Sequence, residues 1–84
     1  MTEVKVYTTD WCSYCARAKA LLQRKGVPFI EVDVGDDPAT RAWLKKETGR
    51  HTVPQVFIGG KAVGGCDDLH ALERSGELDR LLSR

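Results

Sequence analysis

The sequence predicts an α/β fold in which helices flank a four-stranded mixed sheet. Two patterns carry this prediction: a strand, a helix and a second strand follow one another in the first half of the chain, and a hairpin of two strands lies in the second half. The length is the third observation, because 84 residues are enough for one hydrophobic core and too few for two. We therefore expect a single domain over residues 1–84, without repeats or linkers.

The first predicted strand is "EVKVYTT", whose β-branched and aromatic residues are typical of strands and whose Val4 and Val6 share one face. The helix predicted after it has an apolar face, formed by Cys15, Ala18, Leu21 and Leu22. Gly26 suits the left-handed residue that ends a helix, and Pro28 prevents its continuation.

The second predicted strand is "FIEVDV", in which Ile30, Val32 and Val34 alternate with two acidic residues and so share one face. Strand, helix and strand within about thirty residues form a βαβ unit, whose crossover is almost always right-handed.

The second half of the chain predicts a helix, a hairpin and two further helices. Asp37 is a good N-cap and Pro38 suits the first helical position, so we expect a helix that begins there and ends at Gly49. Its apolar residues are Ala39, Ala42 and Trp43. Gly59 and Gly60 provide the positive φ angles of a tight turn between "QVFI" and "KAV". The last two helices are predicted at "CDDLHALERSG" and "ELDRLLSR".

Charge and hydropathy exclude several classes of partner. Thirteen basic residues nearly cancel twelve acidic ones, so the chain lacks the positive field that attracts nucleic acid or an anionic membrane. No apolar run approaches the length of a bilayer span, and the N-terminus does not resemble a signal peptide. We expect a soluble, cytoplasmic protein that binds neither nucleic acid nor membrane.

The three cysteines narrow the chemistry. Cys12, Cys15 and Cys66 are an odd number, which cannot form a fully paired disulfide framework. A structural zinc site needs a second close pair of ligands, and the remaining candidates, Cys66, His51 and His70, do not supply one. A Cys-x-x-Cys pair within a βαβ unit instead predicts thiol-disulfide chemistry.

The position of the pair predicts a different role for each cysteine. Cys12 lies where the strand gives way to the helix, so the unpaired amides and the positive dipole end of the helix favour its thiolate. Cys15 lies one turn further, on the core-facing side. We expect Cys12 to attack a disulfide and Cys15 to resolve the mixed disulfide that results. Two inert, buried thiols are the alternative.

Three stretches follow one another in a specific order: "CSYC", "TVPQVFIGG" and "GGCDD". In this order the chain resembles the glutaredoxins, a family of the thioredoxin-fold superfamily, nearly from end to end. The resemblance implies a thioredoxin fold and a glutathione-dependent oxidoreductase that reduces protein disulfides and glutathione mixed disulfides. It also implies a monomer that contributes to redox homeostasis, with glutathione as reductant and with glutathionylated or disulfide-bonded proteins as substrates.

At "HTVPQ", the resemblance implies that Thr52 and Val53 contact the substrate and that Pro54, which follows a cis peptide bond, positions them. The backbone of Val53 is expected to pair with the cysteinyl part of glutathione as an added strand does. The residues alone leave a second interpretation open, because a proline before an apolar stretch is also typical of the start of an edge strand.

At "GGCDD", the resemblance implies a site for the γ-glutamyl end of glutathione. Gly65 allows close approach, and the carboxylate meets the backbone of Cys66 and Asp67 at a helix N-terminus. The ammonium meets the side chain of Asp68. The alternative is a helix capped by two aspartates without any ligand.

One departure from the family concerns the carboxylate of the glycine in glutathione. Many glutaredoxins bind it with a lysine three positions before the first cysteine, where this chain has Thr9. The resemblance transfers that contact to Arg41, and the alternative is a surface arginine without a role. Tyr14, between the two cysteines, is expected to pack against the ligand.

The other departure is Ser13, where dithiol members usually have proline. Serine restores the backbone donor and the freedom in φ that proline removes. Some members with this pattern hold a 2Fe-2S cluster between two subunits, ligated by the first cysteine of each and by two glutathione thiolates. The resemblance therefore implies a second function class, a cluster-bridged dimer for iron-sulfur handling or redox sensing, with Cys12 as the metal ligand.

Overall fold

The computed structural model describes residues 2–83 of the chain. In chain order its elements are β1 (Val4–Thr8), α1 (Ser13–Arg24), β2 (Ile30–Asp33), α2 (Pro38–Thr48), β3 (Gln55–Ile58), β4 (Lys61–Gly64), α3 (Cys66–Ser75) and α4 (Glu77–Leu81). The strands form one sheet in the order β2-β1-β3-β4. β1 pairs parallel with β2 and antiparallel with β3, and β3 pairs antiparallel with β4. The predicted four-stranded mixed sheet flanked by helices is confirmed.

The main core lies on the face of the sheet that α1, α3 and α4 cover. Val4 and Val6 of β1 are buried there, as the alternation predicted. The predicted apolar face of α1 is buried in full, and its members are Cys15, Ala18, Leu21 and Leu22. Leu69 of α3 and Leu78 of α4 complete this core.

A smaller core lies on the opposite face, under α2. Leu44 is the side chain of α2 that is buried, whereas the residues expected on its apolar face, Ala39, Ala42 and Trp43, are exposed. The ring of Trp43 nevertheless stacks on Phe57 of β3, with 5.6 Å between centroids. α2 therefore contacts the sheet through Leu44 and the ring of Trp43. The helical spacing alone did not predict that Leu44 is the buried side chain.

The prediction for β2 was correct for its position and wrong for part of its burial. Val34 is fully buried, but Ile30 on the same predicted face remains 48% exposed. The register explains the difference, because Ile30 pairs with Lys5 at an uncovered part of the face, while Val32 pairs with Tyr7 in the smaller core. β2 is an edge strand of the sheet.

The residues predicted to end and connect the elements do so. Asp37 caps α2 by accepting a hydrogen bond from the amide of Thr40 at 3.1 Å. Gly59 and Gly60 have φ angles of 60° and 82° in the β3–β4 turn, a conformation that glycine adopts readily. Among the described residues, no helix is long and apolar enough to cross a membrane.

Candidate active site

Cys12 is the N-cap residue of α1. Its backbone is extended, with φ of −108° and ψ of 108°, and its side chain is half-buried. Its Sγ accepts a hydrogen bond from the backbone N–H of Cys15 at 3.2 Å. This amide and the positive end of the helix dipole both favour negative charge on the sulfur. The sulfur atom at the surface end of α1 is therefore suited to nucleophilic attack.

Cys15 lies one turn along α1 in very different surroundings. Its side chain is only 2% exposed, and burial is the main reason that its pKa is raised to about 12. The neighbouring Cys12 thiol acts in the same direction, whereas a hydrogen bond from the backbone of Thr9 and the positive charge of Lys19 act against it. Cys15 is accordingly a neutral thiol in the resting protein.

The loop between α2 and β3 forms the wall beside Cys12. The Val53–Pro54 peptide bond is cis, and the Cys12 thiol donates to the carbonyl oxygen of Val53 at 3.8 Å. The buried side chain of Gln55 fixes the loop from below, since its Nε2 donates to the carbonyl of Thr52 at 3.0 Å. The burial of Gln55 was not predicted from the sequence, because a polar residue at the start of an apolar strand is usually exposed.

The N-terminus of α3 forms the opposite wall. Gly65 is its N-cap, and the backbone N–H of Gly65 donates to the Asp68 carboxylate at 3.0 Å. The same carboxylate accepts from Arg50 at 2.7 Å. These two hydrogen bonds, that of Gly65 first, lower the pKa of Asp68. The carboxylate is therefore ionised at neutral pH.

These walls enclose an open groove of about 420 Å³. Its lining residues are Tyr14, Arg50, Thr52, Val53, Pro54, Gly65, Cys66, Asp67 and Asp68. With one exception, the structure thus brings together all the glutathione contacts that the resemblance implied. Cys12 does not line the groove, but its sulfur lies 3.8 Å from the carbonyl oxygen of Val53, which does.

Arg41 is the exception. Its Nη2 donates to the carbonyl of His51 at 2.9 Å, and it lines a small depression next to the groove, which it shares with Thr52 and Val53. Arg50 is the only cationic side chain that lines the groove within residues 2–83, and it was not among the site residues predicted from the sequence. A basic residue two positions before "TVP" is a signal that could have identified it.

Cys66 is buried, and it begins α3 at the groove wall. Burial raises the pKa of its thiol. Its Sγ lies 3.5 Å from Nδ1 of His70, which is also 2.9 Å from the Cys66 carbonyl oxygen. This thiol is neutral and buried, whereas the side chain of Cys12 is half-buried.

Metal ligands within this chain are few. No group of three or more His, Cys, Asp and Glu side chains in residues 2–83 is placed to hold a metal ion. Cys12 offers one accessible sulfur, so a cluster bound there needs thiolates from outside the chain, as the cluster-bridged dimer supposes.

Comparison with known proteins gives a consistent result. The glutaredoxin family model matches residues 4–63 of the chain. A glutaredoxin of Pseudomonas aeruginosa is 60% identical over 83 residues, which cover 99% of this chain and 99% of that protein. Glutaredoxin 3 of Escherichia coli strain K12 is 51% identical over 82 residues, covering 98% and 99%. The crystal structure of a buckwheat glutaredoxin-glutathione complex superposes with a TM-score of 0.92 at 36% identity, covering 98% of this chain and 77% of that one.

Proposed function

This chain belongs to the glutaredoxin family of thiol-disulfide oxidoreductases, and from that membership we propose that glutathione is its reductant and that it reduces protein disulfides and glutathione mixed disulfides. The observation that carries the proposal is the groove whose wall residue Val53 has its carbonyl oxygen 3.8 Å from the sulfur of Cys12. The groove's volume of about 420 Å³ is large enough for a tripeptide, and its walls offer a loop backbone on one side and a helix N-terminus on the other.

The reaction begins at Cys12. Its thiolate attacks the glutathione sulfur of a mixed disulfide, a new sulfur-sulfur bond joins Cys12 to glutathione, and the substrate leaves as a thiolate that takes up a proton. The backbone of Val53, whose carbonyl lies 3.8 Å from the Cys12 sulfur, holds the cysteinyl part of glutathione as an added strand. The peptide is then held with its sulfur beside Cys12.

The charged γ-glutamyl end of glutathione matches the wall that the N-terminus of α3 forms. The γ-glutamyl carboxylate lies at the N-terminus of α3, next to the backbone of Cys66 and Asp67, and the ammonium lies next to Asp68. Arg50 adds a positive charge beside Asp68. We propose that Arg50 binds the carboxylate of the glycine in glutathione. Arg41, to which the resemblance transferred this contact, is the alternative.

Two thiols can complete the cycle. A second glutathione attacks the Cys12 mixed disulfide and leaves as glutathione disulfide, or Cys15 attacks it and forms an intramolecular disulfide that glutathione then reduces. Cys15 is needed only for protein disulfides, where it must displace the substrate protein from its mixed disulfide with Cys12.

The test is an assay of a glutathionylated peptide with the wild type, Cys12→Ser and Cys15→Ser. Cys12→Ser should abolish reduction, because Cys12 is the accessible thiol beside the groove. Cys15→Ser should keep it, because glutathione replaces the resolving thiol. If Cys15→Ser were as inactive as Cys12→Ser, the roles assigned to the two cysteines would be wrong.

A second candidate function is the cluster-bridged dimer. The observation that favours it is the surface next to Cys12, where Ser13 is exposed and the ring of Trp11 is entirely uncovered, at 103% relative exposure. A second copy of the chain would bury this ring while its own Cys12 approached the cluster.

The location of the protein stays a prediction. Working thiols need a reducing compartment, so we propose the cytoplasm.

A further inference from the structure

A second cavity, of about 460 Å³, lies on the other side of Cys12. Its lining residues are Thr9, Asp10, Trp11, Cys12, Ser13, Cys15, Ala16, Lys19 and Glu31. It reaches Cys15, which the glutathione groove does not. The two thiols that can react at Cys12 therefore belong to different cavities. The thiol of glutathione belongs to the groove, and the thiol of Cys15 belongs to the second cavity.

Lys19 is held at the wall of this cavity. It follows Cys15 by four positions on α1, so both residues lie on the same face of the helix. Its Nζ donates to Oε2 of Glu31 on β2 at 3.0 Å, and the hydroxyl of Thr8 donates to the same oxygen at 2.8 Å. The two donors lower the pKa of Glu31, Lys19 having the larger effect. The ammonium is therefore fixed in place by an ionised partner across the edge of the sheet.

The raised pKa of Cys15 opposes its action as a nucleophile. Cys15 must become a thiolate before it can attack, and burial raises its pKa far above neutrality. The charged and titratable groups that line this cavity with Cys15 are Cys12 at the N-cap of its helix, Lys19 on the helix, Asp10 in the preceding loop and Glu31 on β2. Of these, Lys19 is the cation, and its charge lowers the pKa of Cys15 together with the backbone hydrogen bond from Thr9.

We propose that Lys19, positioned by Glu31 and Thr8, stabilises the Cys15 thiolate during the intramolecular step that resolves a mixed disulfide at Cys12. This inference rests on the proposed function and adds a residue specific to one of its two routes. Lys19 is a positioning residue for Cys15, and glutathione bypasses it when glutathione itself resolves the mixed disulfide.

The step balances without any further reagent. The Cys15 thiol releases its proton to solvent through the cavity, and the thiolate attacks the Cys12 sulfur. A bond forms between Cys12 and Cys15 as the bond from Cys12 to the substrate sulfur breaks, and the departing thiolate takes up a proton. The substrate disulfide gains two electrons, and the two protein thiols lose them.

The test separates the two chemical steps in a single turnover with dipyridyl disulfide, an uncharged aromatic disulfide that the charge of Lys19 cannot attract. Attack by Cys12 releases one thiopyridone at a rate that depends on reagent concentration. Attack by Cys15 releases a second at a rate that does not. Stopped-flow absorbance resolves both phases, and Cys15→Ser identifies the second phase because it should lack it.

Lys19→Gln should slow the second phase about three- to tenfold and leave the first unchanged, because a partly exposed charge contributes a modest stabilisation. Lys19→Arg, which keeps the charge, should restore the rate. Arg24→Gln removes an equal charge from the far end of α1 and should have no effect. The difference between Lys19→Gln and the wild type should shrink at high salt.

A second phase that is equally fast in Lys19→Gln and the wild type would overturn the inference. So would a Lys19→Arg variant as slow as Lys19→Gln, since charge would then not be the cause. A first phase that survives in Cys12→Ser would instead overturn the proposed function, and the two failures are therefore distinguishable.

Discussion

Cys12 and Cys15 are three positions apart on one helix, yet their sulfur atoms lie in opposite surroundings. Cys12 accepts an amide hydrogen bond at the half-exposed N-cap, whereas Cys15 is 2% exposed. Water solvates a thiolate far better than a protein interior does, so burial favours the neutral thiol at Cys15. At the residue scale, one turn of helix separates a half-buried sulfur at the N-cap from a buried thiol whose pKa is raised by burial.

Arg50 and Arg41 give a matched test of the carboxylate contact. Arg50→Gln should raise the KM for a glutathionylated peptide about three- to tenfold, because a charge-assisted bond of about 1.5 kcal/mol is reduced by solvent at a side chain that is 53% exposed. Arg41→Gln should raise it less. Steady-state kinetics measure both KM values. A larger increase for Arg41→Gln than for Arg50→Gln would show that Arg41 makes the contact.

At the scale of the element, the entry to α3 is shaped by two glycines. Gly64 has φ of 115°, and a Cβ added there would collide with the carboxylate of Asp68. A Cβ on Gly65 would come within 3.2 Å of the carbonyl oxygen of Pro54. The absence of side chains at both positions lets the first turn of α3 pack against the loop before β3, and this contact closes the groove at its base.

Asp68 should stabilise α3 in a pH-dependent manner. Because its folded-state pKa is lowered, chiefly by the Gly65 amide, its contribution is present above the unfolded carboxyl pKa of about 4 and is lost as the pH falls through the folded value. Asp68→Asn should reduce the free energy of unfolding by about 1 kcal/mol at pH about 7. Denaturant titrations of the two proteins should converge as the pH falls through the lowered pKa that Asp68 has in the folded state.

Asp67→Asn is the matched control for that measurement. Asp67 carries the same charge on the same turn of α3 but is exposed. Its substitution should therefore lower the free energy of unfolding less than that of Asp68 does. If both variants lost the same stability over the same pH range, the helix dipole rather than the bond to Gly65 would explain the effect.

At the scale of the molecule, the order of the strands brings the three motifs together. β1 and β3 are antiparallel neighbours, so the end of β1 that leads to Cys12 lies beside the start of β3, where Pro54 is. β4 runs antiparallel to β3 and returns to the same end, where Gly64 pairs with Val56. The thioredoxin fold that the resemblance implied, confirmed by the superposition on glutaredoxins, thus converts three distant stretches into one groove.

The oligomeric state provides a test of the second candidate function. Protein reconstituted without oxygen with iron, sulfide and glutathione should turn brown and elute as a dimer, and removal of glutathione should disperse it, because two of four thiolate ligands would be lost. Absorbance and size-exclusion chromatography measure both. Ser13 begins α1, a position that proline tolerates, so Ser13→Pro should keep the fold and suppress the cluster. Colourless monomers of the wild type would contradict this function.

The order of the elements and the burial of Cys15 could be predicted from the sequence alone. Local rules were sufficient: the burial of Val4 and Val6 follows from alternation, the cap at Asp37 from its side chain, and the hairpin from Gly59 and Gly60. Each of these signals acts within a few residues along the chain, so no distant contact was needed to interpret it.

Which residues line the groove and which lie beside it depends on how the elements pack. Arg41 and Arg50 are both basic residues near one motif, and the packing of α2 against the sheet places only Arg50 in the groove wall. Lys19 meets Glu31 across the sheet edge, although twelve positions separate them in the chain. The physical reason is that side-chain position depends on how whole elements pack, and local sequence patterns do not contain that information.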